Sequence, residues 1–135
     1  MPLISEPIHH QPPSSLSAAI GARDPDDRWA IDEWSCNDGG SALARAISKG
    51  IAVAVSDGSF MDSHTIGTSA FLLEPDEPTP TNRFIGVNFI PGSPKEQSAY
   101  RSELGGASGV IAAVESIVAK YQLQSGSITI GLDGE

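Results

Sequence analysis

Residues 98–133 read SAYRSELGGASGVIAAVESIVAKYQLQSGSITIGLD, and the change of period inside this stretch decides the fold. Tyr100, Leu104, Ala107, Ile111, Val114, Val118 and Tyr121 recur at steps of three or four, so the sequence predicts one long helix over 98–123. Gly105, Gly106 and Gly109 inside it cost roughly 1 kcal/mol each against alanine, a loss offset if the missing side chains let the helix lie close against a sheet. After Gly126 the pattern changes to SITIGL at 127–132, a strand ending in Asp133.

Working back from the helix, three more strands are expected. Residues 51–56, IAVAVS, are rich in Ile and Val and flanked by Gly50 and Gly58, the pattern of a strand covered on both faces, with Asp57 at its end. GTSAFLLE at 67–74 and RFIGVNFI at 83–90 follow, joined by the polar, proline-rich EPDEPTPT. Links this short favour an antiparallel meander, because parallel strands need long crossovers. SALARAISKG at 41–50 reads as a short helix, with Ser41 as N-cap, Lys49 in the last turn and Gly50 after it. The fold class is therefore α/β with an α+β-like mixed sheet: a βββαβ core of three antiparallel strands, a crossover helix and a fourth strand parallel to the first. No internal repeat is visible.

The 135 residues fit one domain. Residues 1–22 hold Pro2, Pro7, Pro12 and Pro13 with no sustained period, and 24–40 mix charges with Trp29 and Trp34. A disordered or loosely packed leader over 1–40 and a single domain over 41–135 are expected, with the two indoles packing onto the domain rather than stacking bases. The adjacent His9 and His10 in the proline-rich tail read as solvated rather than metal-bound. The longest apolar run, 51–55, falls far short of the ~20 residues that span a bilayer. No secretory signal pattern opens the chain, so an intracellular protein without a membrane partner is expected. Cys36, the only cysteine, can form neither an internal disulfide nor a Cys-type zinc site. A net charge of −9 excludes a protein that simply coats nucleic acid, since that mode needs a basic footprint. Any nucleic-acid role must be local, through bound cations or basic segments elsewhere.

A right-handed crossover that returns the fourth strand beside the first would bring Asp57 and Asp133 to the carboxyl edge of the sheet. Glu103, one residue before Leu104 and four before Ala107, lies on the border of the expected apolar face and can point at the same edge. Three carboxylates so placed repel one another unless cations lie between them. Mg²⁺ suits that role, and two ions ~4 Å apart serve in-line phosphodiester displacement. Each residue also has a plain alternative: Asp-Gly-Ser and Asp-Gly are turn sequences, and an acid at a helix start complements the macrodipole.

The segments VAVSDGSF (53–60), YRSELGGASGVIAAVE (100–115) and ITIGLDGE (128–135) together resemble the ribonuclease H-like family, in particular the ribonuclease H domain of retroelement reverse transcriptases. The resemblance covers about residues 50–135. It implies Asp57, Glu103 and Asp133 as catalytic carboxylates holding two Mg²⁺ ions, for which Mn²⁺ may substitute, with Ser59 and Arg101 as substrate contacts. The activity implied is cleavage of the RNA strand of an RNA/DNA hybrid, leaving 3′-hydroxyl and 5′-phosphate ends. In the family the chain continues into further helices and a fifth strand carrying a fourth carboxylate, whereas this sequence stops at Glu135. The polar residues that relatives place before the helical glutamate are here Ala99, Tyr100 and Arg101. Asp62, His64 and Glu135 read as loop or terminal residues rather than replacements. The resemblance thus implies the metal-binding half of a ribonuclease H domain, inactive as an isolated fragment, with its fourth strand exposed for self-association. The alternatives are a catalytically degenerate interaction module and an integrase-like polynucleotidyl transferase on the same scaffold.

Overall fold

The computed structural model describes residues 13–25, 28–31, 33–61, 66–90 and 98–132. In chain order these form helix α1 (Leu16–Gly21), a 3-10 turn (Arg28–Ile31), strand β1 (Trp34–Ser35) and helix α2 (Ser41–Lys49). Strands β2 (Ala52–Met61), β3 (Ile66–Glu74) and β4 (Phe84–Phe89) follow, then helix α3 (Ala99–Tyr121) and strand β5 (Ile128–Leu132). The strands make one mixed, open sheet in the order β1-β4-β3-β2-β5. β2, β3 and β4 are antiparallel neighbours, and β5 lies parallel to β2 on its other side, reached through α3. β1 pairs with β4 and adds a fifth strand that the sequence did not announce.

Several expectations need correction. β2 does not end at Ser56 but runs on to Met61, with Asp57, Gly58 and Ser59 paired to Ala70, Ser69 and Thr68 of β3. An Asp-Gly-Ser run is turn-forming in isolation, but here a continuous antiparallel partner satisfies its backbone groups and holds it extended. β2 is also not covered on both faces: Ala52 and Ala54 are buried, whereas Val53 and Val55 are exposed on the other side. Among the described residues the helices gather on one face, where α1, α2 and the 3-10 turn surround α3.

The third correction concerns the orientation of α3. Ser98 caps its start, its Oγ accepting the Arg101 N–H at 3.0 Å, and Gln122 ends it in the left-handed region at φ 52°. The buried stripe, however, is Ser102, Gly106, Gly109, Val110, Ala113 and Ile117, while Leu104 and Ile111 of the large-residue stripe are half exposed. Close approach explains the rotation. A Cβ at Gly109 would lie 2.5 Å from the Phe71 ring, and one at Gly106 would lie 2.9 Å from the Ser56 Cβ. The bulk at this interface therefore comes from the sheet, chiefly Phe71, whose ring also covers Gly86.

Described residues between 16 and 35, expected within a loosely packed leader, instead contribute to the core. Leu16, Ile20 and Ile31 are buried, and Ser15 caps α1 by accepting the Ala18 N–H. The buried Asn88 side chain donates to the Ala30 carbonyl, and Trp34 stacks on Phe84 with ring centroids 5.2 Å apart, as expected for an indole packed onto the domain. α2 starts at Ser41 as read, but Gly40 rather than Ser41 is its N-cap. The Asp38 carboxylate replaces a serine cap, accepting the Gly40 N–H at 2.8 Å and the Ala42 N–H at 3.3 Å. Lys120 and Tyr121 both donate to the Gly39 carbonyl, tying this loop to the carboxyl end of α3. No helix among the described residues is long and apolar enough to cross a membrane.

Candidate functional site

Asp57 lies on β2 opposite Ala70 of β3, with its side chain exposed. On its other side the parallel ladder with β5 closes at the pair Ser56 and Leu132. Asp57 is therefore the first β2 residue beyond that ladder, and its carboxylate makes no hydrogen bond or ion pair with any described residue. Strand alternation places it on the open face of the sheet with Val53 and Val55, whereas Ser56 faces α3.

The backbone of α3 brings position 103 to the same end of the sheet. Ile117 and Tyr121, late in the helix, lie near Gly40, just ahead of α2, while Gly106 lies over Ser56 and near the Ala70 carbonyl. α3 thus runs from the carboxyl end of β2 toward its amino end, and position 103 is about one turn closer to the carboxyl end than Gly106. Glu103 and Asp57 belong to opposite layers. A ligand shared between them has to sit around the carboxyl end of the β2–β5 ladder rather than between helix and sheet.

Arg101 is half-buried in the first turn of α3, and Ser59 pairs through its backbone with Thr68. Asp133, together with Asp62, His64, Glu135, His9 and His10, lies outside the described residues, as does the side chain of Glu103. No group of three His, Cys, Asp or Glu residues that could hold a metal occurs among the described residues.

Sequence reasoning missed a set of buried hydroxyls on the covered side of this end. Ser56, Ser69 and Ser102 are all buried, and the Oγ atoms of Ser69 and Ser102 have no hydrogen-bond partner. Buried polar groups without partners are uncommon in native folds. The available signal was Ser56 itself, which breaks an inward series that otherwise reads Ala52, Ala54. Cys36 is no competing nucleophile: burial first, then the Asp38 carboxylate that accepts its S–H at 3.5 Å, pushes its pKa up to about 12. A cleft of about 360 Å³ lined by Arg45, Lys49, Asp76 and Glu77 lies at the opposite, amino end of β2 and shares no residue with the carboxylate positions.

Comparison with protein families, with curated proteins and with solved structures finds no match to this chain.

Proposed function

We propose that the chain is the metal-binding half of a ribonuclease H-like domain whose substrate is the RNA strand of RNA/DNA hybrids, the isolated chain itself binding metal and hybrid without cutting. The observation that carries this reading is the register of the parallel ladder. Its last pair, Ser56 and Leu132, immediately precedes Asp57 in β2 and Asp133 in the sequence, while Gly106 over Ser56 is one turn from Glu103. A meander, a crossover helix and a last strand parallel to the meander's first strand supply the βββαβ order on which the resemblance rests.

The donors fit a hard cation. All three are carboxylates, and Asp57 in particular is exposed and uncommitted. Asp57 would hold both Mg²⁺ ions, Glu103 and Asp133 one each. Bound Mg²⁺ supplies water activation and charge stabilisation for in-line displacement at phosphorus, in which water oxygen bonds to phosphorus and the 3′ oxygen leaves, giving a 3′-hydroxyl and a 5′-phosphate. The chain's own part is to hold the carboxylates in place through the β2–β3 and β2–β5 ladders and to contribute Arg101 as a positive charge near the phosphates.

Calorimetric titration of Mg²⁺ and Mn²⁺ into the chain tests this, with labelled RNA/DNA hybrid and duplex DNA as paired substrates. Millimolar or tighter binding lost in Asp57→Asn, with metal-dependent retention of hybrid over duplex, is the expected result. No metal uptake, or cutting of duplex DNA in preference to hybrid, would overturn it.

A further inference from the structure

The open face of the sheet is apolar where a solvated face should be polar. Antiparallel sheets with one wet side usually alternate hydrophobic-in and polar-out. Here the outward residues of β2 and β4 include Val53, Val55, Ile85, Val87 and Phe89, all at least two-fifths exposed, with Phe89 at 70%. They present on the order of 500 Å² of accessible surface, near the top of what a monomer carries in its largest patch.

The strand registers arrange this face in rows. Val55, Leu72 and Ile85 lie side by side across β2, β3 and β4, and the next row is Asp57, Ala70 and Val87. Glu33 extends the second row beyond β4, because its carbonyl accepts the Val87 N–H at 3.0 Å. Glu33 is exposed, and alternation from the inward Trp34 puts it on the open face. An apolar strip is therefore bordered by a carboxylate at each side, Asp57 and Glu33, three strand spacings or ~14 Å apart. In the adjoining row Glu74 is already neutralised by Arg83, whose Nε lies 2.9 Å from the Glu74 Oε2.

We propose that this face docks an amphipathic helix of a partner protein, with an apolar stripe flanked on both sides by lysine or arginine. The strip is wide enough for one helix of ~10–12 Å diameter running along the strands, and the flanking charges fall where the carboxylates stand. A second copy fits less well, since it would set Asp57 and Glu33 against their own like charges in a chain of net charge −9. Docking uses Asp57 as a free carboxylate, so it competes with metal binding at that residue; the test therefore rests on Phe89, Val87 and Glu33, none of which the metal-binding reading uses.

The probe is a labelled synthetic helical peptide with leucine at heptad positions a and d and lysine at e and g, followed by fluorescence anisotropy on the full chain. A twin with glutamate at e and g serves as control. The expected result is saturable binding of the lysine peptide only, weakened about tenfold or more by Phe89→Ser, which changes no charge, and severalfold by Glu33→Gln. Circular dichroism confirms that each variant is folded, and Val87→Lys provides a second surface variant. Equal binding of both peptides, binding unaffected by Phe89→Ser and Val87→Lys, or no binding of either peptide would overturn the proposal. So would a dimer in sedimentation that Val87→Lys dissociates, because the face would then belong to a second copy.

Discussion

Gly106 of α3 rests on Ser56, the residue before Asp57, so closely that a Cβ at 106 would lie 2.9 Å from the Ser56 Cβ. The contact sets how near the helix carrying Glu103 comes to the strand carrying Asp57. Gly106→Val adds bulk without a large gain in helix propensity, and we expect it to cost about 1–3 kcal/mol in urea unfolding. Combining it with Ser56→Gly should recover part of that loss, which a double-mutant cycle measures directly.

Phe71 is, with Phe84, one of the two largest fully buried side chains among the described residues, and it fills the space over two glycines, Gly86 and Gly109. It also lies 5.7 Å from Phe84, centroid to centroid. Phe71→Ala should lower stability by about 3–5 kcal/mol, the range for a buried aromatic truncated where the surroundings relax only partly. Gly109→Ala should also destabilise, because the ring and the Ala30 carbonyl, 3.0 Å from the added Cβ, both resist it.

Ile31 tests the status of the amino-terminal segment. It is fully buried in the main core, and nearby Asn88 holds Ala30 by a hydrogen bond. Ile31→Ala should cost about 2–5 kcal/mol in denaturant unfolding, where a loosely attached leader would show no change.

These cases mark what was legible. The strands were readable as Ile- and Val-rich or apolar runs bounded by turn residues and the long helix by its three-to-four spacing, and Gly50 sits in the left-handed region at φ 72° where the short helix was expected to stop. The buried face of α3 was not readable, since a contact built from Gly106, Gly109 and Ala113 gives no hydrophobic signal of its own. Residues 16–35 were missed because Leu16, Ile20 and Ile31 are spread through polar sequence, and β1 is two residues long. Asp57 was readable as a candidate, but its place inside a paired strand depends on β3, a tertiary fact.

Cys36 gives a pH dependence of definite sign. Burial and Asp38 raise its folded pKa from 9.0 to about 12, so the folded chain keeps a proton that the unfolded chain releases. The unfolded state then binds fewer protons, and the thiol's contribution to stability, complete below about pH 9, falls as pH rises toward 12. Urea midpoints at alkaline pH should decline more steeply for the native sequence than for Cys36→Ala. Equal slopes would show that the thiol titrates freely.

The proposed convergence of Asp57, Glu103 and Asp133 is most directly tested by adding trace Mn²⁺ to the ¹⁵N-labelled chain and following paramagnetic broadening of its amide signals. The account predicts simultaneous broadening at Asp57, at Glu103 and at the residues following Leu132, all abolished by Asp57→Asn. Broadening confined to one of these segments, or scattered over the acidic surface and indifferent to Asp57→Asn, would contradict it.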